Sequence, residues 1–269
     1  MTTAMVLIIA FGFALATVIL VARRRRLQRQ RRQSLGLAWL HSLRIMLAKV
    51  QQHRGLSGAF LNGRKELLLQ LQSLQYDIER ELREIPAADR WMEENQRWQG
   101  IASHWQRLVQ HFQSNSAANN LIQHNLLIKN VLCMIDDMAQ AHDLLALRSR
   151  DGKPLYVAWR DLLLASECVG QARALGTSIL SSGSCDTVAK IRLRYLIQKI
   201  EASTAKVWAQ IPASQENVDK LEILLKCIET ELIGARSRIS VPEYFAIATA
   251  AIDSLFEQYD TIIAHTDAR

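Results

Sequence analysis

The sequence predicts an all-helical protein, and three observations carry that prediction. Prolines number only four and glycines eleven in 269 residues, apolar residues recur at alternating threes and fours over long stretches, and no useful length alternates apolar and polar residues as a strand does. A hydrophobic fraction of 49% is enough for one large or two modest folded units with a real core. The expected architecture is one N-terminal transmembrane helix followed by two four-helix bundles.

Residues 4–22, AMVLIIAFGFALATVILVA, carry no charge and are long enough to cross ~30 Å of hydrocarbon as a helix. Arg23, Arg24, Arg25, Arg26, Arg29, Arg31 and Arg32 follow at once. Basic residues after the apolar run, with no small-residue cleavage site, describe an anchor and not a signal peptide. The positive-inside rule then puts the N-terminus outside and the body in the cytoplasm. Those seven arginines account for the formal net charge of +7, since the remaining Lys and Arg balance the 26 Asp and Glu. A basic run beside a membrane attracts anionic headgroups, so the charge argues for no nucleic-acid partner. Residues 1–33 are thus read as anchor and juxtamembrane segment, and 34–269 as the folded body.

Within the body a first helix is expected from an N-cap at Ser34 to Gly63, its stripe running Leu40, Leu43, Leu47, Val50, Arg54, Ser57 and Leu61. A second covers about 65–84, ended by Pro86. The third, about 87–113, repeats Trp91, Trp98, Trp105 and Phe112 every seventh residue, the mark of a packed seam. A fourth spans about 117–148. Ser149 to Pro154 reads as a linker by its turn residues, dividing the body into halves of about 34–150 and 151–269. Beyond it, helices are expected at about 155–182, 185–210, 214–234 and 240–265. The last opens on Ser240-Val241-Pro242-Glu243, a capping box.

Two stripes contain an arginine where a helix should be dry. In the second, Leu155, Trp159, Leu162, Ser166 and Val169 lead to Arg173, Gly176 and Leu180. The registers match: each arginine has a valine four before it, a small residue three after it and a leucine seven after it. Glycines at 63 and 183 close the two runs. A guanidinium does not shed its proton and is costly to dehydrate unpaired, so each requires an anionic or strongly accepting partner. That partner is either a buried carboxylate such as Glu167 or Asp136, giving a core ion pair, or a ligand.

No phosphate-binding glycine loop, zinc-protease motif or nucleophile elbow occurs. The histidines at 41, 53, 104, 111, 124, 142 and 265 lack ligand spacing, Asp136 and Asp137 point different ways on one helix, and the four cysteines form no close pair. The expectation is no enzyme, no metal and no cofactor.

Gln52-His53-Arg54-Gly55-Leu56-Ser57, then Glu167 to Ala174, then Ser240 to Phe245 with Thr249, Ile252 and Asp253, resemble the nitrate- and nitrite-sensing (NIT) domain family over about residues 35–266. The sequence departs from it at His53 and Ala172, where an acidic residue more often precedes the arginine. The resemblance implies a sensor of two four-helix bundles in which Arg54 and Arg173 hold nitrate or nitrite, while Gly55, Ser57, Gly58, Gly170 and Gly176 line the site and let helices approach. The apolar span and the charge order that follows it place such a sensor at a bacterial-type inner membrane. Because the last helix is followed by only a few residues, the signal is expected to pass to a separate protein or a second copy of the chain. The competing expectation is a membrane-tethered helical scaffold with structural arginines and no small ligand.

Overall fold

The computed structural model describes the backbone of residues 2–149, 151–234, 238–264 and 266, and the side chains of these from residue 11 onward. His265, at the expected end of the last helix, lies outside the described residues. The described residues are helical almost throughout; an isolated bridge between Arg148 and Pro154 is the only extended pairing among them.

The first helix does not start at Ser34. Helix α1 runs unbroken from Thr2 to Leu61, because residues 2–61 contain no proline and the Arg/Gln/Leu run at 23–33 consists of good helix formers. At about 1.5 Å per residue its 60 residues extend about 90 Å. Its early part is exposed and apolar, with Phe11, Phe13, Val18 and Ile19 all facing solvent. No helix among the described residues is long and apolar enough to cross a membrane, and the side chains of residues 4–10 of the expected span are not among them.

Gly63, at φ +107°, turns the chain out of α1, as glycine alone does without strain. A 3-10 turn at Lys65–Leu67 leads into α2 (Leu68–Ala87). The expected third helix is broken in two. Asp89 caps the short α3 (Arg90–Glu93), and Asn95 accepts from the amides of Arg97 and Trp98 to cap α4 (Gln96–His111). Helix α5 (Ala117–Ala141) is capped by Ser116 and stops seven residues before the expected end, where Asp143 takes the left-handed conformation at φ 58°. Trp98, Trp105 and Phe112 are buried in the seam between these helices, while Trp91 packs its face on Trp39, centroids 6.0 Å apart.

After the bridge between Arg148 and Pro154, a π-helical segment at Ala158–Leu162 opens α6 (Leu163–Ser182), closed by left-handed Gly183. Helix α7 (Thr187–Trp208) follows, then α8 (Gln215–Cys227) with a second π segment at Ile228–Ile233, then α9 (Val241–Ala264). At the last start the Ser240 hydroxyl accepts from the Glu243 amide at 3.3 Å.

Helix α1 packs on α2 and α5, α4 packs on α5, α6 packs on α7 and α9, and α8 on α9. One apolar core runs through both groups. Between the groups α1 meets α6 and α9, and α5 meets α6. Tyr259 on α9 donates to the Leu40 carbonyl at 3.3 Å, and Arg44 pairs with Asp260 across the same contact.

Candidate anion-binding site

The two stripe arginines lie where α1 meets α6. Along α1, Leu40, Leu43, Leu47 and Val50 are fully buried, and the stripe carries Arg54 in with them at 3% exposure. Along α6, buried Trp159, Leu162, Ser166 and Val169 set the same face, which brings Arg173 one turn later to the α9 side.

Arg54 has a protein partner on one of its terminal nitrogens. Its Nη1 donates to Glu167 Oε1 at 2.6 Å and to Asn125 Oδ1 at 2.8 Å. Glu167 also accepts from Gln171 Nε2 at 2.8 Å and Gln51 Nε2 at 3.0 Å. Of the two carboxylates weighed as a core partner, Glu167 takes the role; Asp136 instead pairs with Arg160 at 2.5 Å and Asp137 with Arg97 at 2.6 Å, both near the surface. Arg54 Nη2, however, is buried with no hydrogen-bond partner. Removing such a donor from water without replacement costs about 1–3 kcal/mol, more for a charged group.

Arg173 is held differently. Its Nη1 donates to Thr249 Oγ1 at 2.8 Å, and its guanidinium stacks 4.7 Å from the centre of the Phe245 ring. Burial, and next the charge of Arg54, push its proton affinity down to about 10. Two cations close enough to repel leave a region of positive potential between them.

The five small residues named from sequence divide into three groups. A Cβ on Gly170 would sit 2.6 Å from Arg54 Nη2 and 3.8 Å from Glu167 Oε2, so the missing side chain is the space the guanidinium occupies. At Gly176 the missing side chain admits the Tyr244 ring, whose hydroxyl donates to the Ala172 carbonyl at 2.7 Å. Ser57 bridges: it accepts from Asn120 Nδ2 at 2.9 Å and donates to the Arg54 carbonyl at 3.3 Å. Gly55 and Gly58 do not serve close approach, since a Cβ on either would meet nothing within 4 Å; they sit on the side of α1 turned from its neighbours.

A buried histidine pair underlies Arg54. His124 Nδ1 lies 2.7 Å from the Asn120 carbonyl and must donate to it, so its Nε2 accepts from His53 Nδ1 at 2.8 Å. His53 Nε2 is then an acceptor, matched by Gln75 Nε2 at 3.1 Å. This chain of donors fixes both rings as neutral. Burial holds the His53 proton affinity well below the ordinary histidine value, reinforced by His124, and burial brings that of His124 down to about 4. Sequence spacing gave no sign that residues 53 and 124 meet. Asn125 was equally silent, whereas Gln51, Gln171 and Thr249 stood within one turn of marked positions.

The body is all-helical, and its two stripe arginines repel one another, one of them through a guanidinium with a buried nitrogen that no protein group accepts from. The chain belongs to the nitrate and nitrite sensing (NIT) family, whose sequence profile matches residues 46–267. Among solved structures, that of the NasR transcription antiterminator resembles it with a TM-score of 0.66 and 17% identity, over 93% of this chain and 72% of that one. At that identity the likeness shows the shared fold. No curated protein matches the sequence.

Proposed function

We propose that this protein is a membrane-anchored sensor that binds nitrate or nitrite between its two helical halves, through Arg54 and Arg173, and relays occupancy to a separate partner protein or a second copy of itself. One observation carries the site: Arg54 Nη2 is a buried cationic donor without an acceptor, close enough to Arg173 to depress it. A small planar monoanion supplies acceptors to guanidinium forks and relieves the repulsion between them. Binding of this kind needs no general base, metal or redox group.

The anchor is supported by the uncharged run at 4–22, the exposed apolar side chains after residue 10 and the arginines that follow. With this charge order the body faces the cytoplasm. The continuity of α1 supports a route for the signal. The helix that bears Arg54 is the helix that leaves the body, and it is gripped at its exit: Arg32 pairs with Asp143 at 2.7 Å, Gln33 donates to the Asp143 carbonyl at 3.1 Å, and Gly36 lies against His142. An anion that draws the halves together shifts α1 against that grip.

The Arg54–Glu167 pair favours one other account, a tethered scaffold whose arginine serves only the core. Thermal unfolding of the full chain in membrane nanodiscs, in matched sodium nitrate, nitrite and chloride, separates the two. A ligand at a hundred times its dissociation constant adds about 2.7 kcal/mol and raises the midpoint by a few degrees. A saturable rise in nitrate or nitrite that Arg173→Ala abolishes is expected; identical curves in all three salts would leave the scaffold.

A further inference from the structure

The charges buried at the site do not add up to two free cations. Glu167 is itself buried, with its side chain 5% exposed beside an Arg54 side chain at 2%, and both its oxygens only accept. Oε1 takes Arg54 Nη1 and Gln171 Nε2, and Oε2 takes Gln51 Nε2. A protonated carboxyl would need an acceptor of its own and has none among these contacts. Glu167 is therefore an anion, and two of its three donors are amides on α1 and α6 that hold it in place whether or not Arg54 does. The neighbouring histidines are neutral by their hydrogen bonds and add nothing. Arg173 touches the neutral groups of Thr249 and Phe245, and its carboxylate neighbour Asp253 is exposed. Arg54, Arg173 and Glu167 together carry one net positive charge.

Resting on the nitrate/nitrite reading of the site, we propose that Glu167 is its specificity-determining residue, restricting the ligand to singly charged anions. One negative charge neutralises the trio. A dianion leaves an uncompensated buried negative charge, and such charges are strongly unfavourable. Without Glu167 the trio carries two positive charges, and the preference reverses.

Titration calorimetry on the full chain in nanodiscs, at constant ionic strength and under mildly alkaline conditions, tests this with nitrate and with sulfite, a three-oxygen anion of similar size that is doubly charged there. The parent protein binds nitrate and not sulfite. Glu167→Gln keeps the shape and an acceptor for Arg54; it is expected to bind sulfite and to lose at least about tenfold of the nitrate-over-sulfite preference. A folded Glu167→Gln protein that binds nitrate and still rejects sulfite overturns the proposal. Should that variant fail to fold, Asn125→Asp decides, because it replaces the amide oxygen that accepts from Arg54 Nη1 with a carboxylate of the same shape at a half-buried position and brings the net charge to zero: nitrate affinity falls about tenfold or more, and unchanged affinity overturns the proposal. A parent that binds neither nitrate nor nitrite overturns the sensor reading itself, a result distinct from either variant's.

Discussion

Arg54 and Arg173 occupy the same register in two similar helix stripes, yet their surroundings differ in kind. Arg54 sits against a carboxylate that is itself held by two glutamines, whereas Arg173 rests on a hydroxyl and an aromatic face. The first arginine is compensated by the protein; the second is left for something else to compensate. The difference teaches that a repeated sequence pattern does not make two equivalent half-sites. In the proposed sensor, Arg54 with Glu167 builds the floor and Arg173 contributes the charge that calls for an anion.

Breaking each arginine in turn exposes that asymmetry most strongly. Arg54→Ala strands Glu167 as an unpaired buried charge and is expected to destabilise the fold by about 3–5 kcal/mol. Arg173→Ala strands only a hydroxyl and is expected to cost no more than about 1.5 kcal/mol. Denaturant unfolding of both variants measures the gap, and equal losses would mean that the two sites are alike after all.

Acid sharpens the comparison, because the histidine pair supports only the Arg54 side. In the folded state both rings have depressed proton affinities, so the unfolded chain takes up more protons as the pH falls. The contribution of His124 is complete above the ordinary histidine value of about 6.5 and is lost between there and its folded value of about 4, and that of His53 is lost in the same direction as the pH falls below about 6.5. The expected loss is on the order of 3 kcal/mol for His124. Unfolding followed across that range should flatten in His124→Gln if the pair is responsible.

Glycines give the smallest and most local contrast. Gly170→Ala drives a methyl to 2.6 Å from Arg54 Nη2 and is expected to displace the guanidinium, costing about 1–3 kcal/mol and most of the anion response. Gly58→Ala lies in the same kind of helix with open space around it. It is expected to stabilise the protein by about 0.5–1 kcal/mol and leave the anion response intact. Thermal unfolding of both variants with and without nitrate reads the two effects together.

The sequence by itself determined the helices and the two arginines. Apolar spacing of three and four, capping residues such as Ser240, and glycines such as Gly63 and Gly183 are local properties, written into neighbouring residues. Where local signals competed, they misled. The polar run at 23–33 read as a break before Ser34 but is continuous helix, since arginine and glutamine are strong helix formers whatever their polarity. Asn95 read as part of one helix but capped a new one.

Only the tertiary structure decided which groups those arginines meet. Asn125, His124 and Thr249 reach the site from helices far along the chain, and the choice of Glu167 over Asp136 depends on how α6 is rotated against α1. Helix periodicity fixes which face of a helix is buried; the relative placement of two buried faces is set by packing across the whole interface. A hydrogen bond between residues 53 and 124, or a charge balance among residues 54, 167 and 173, exists only once that packing is complete.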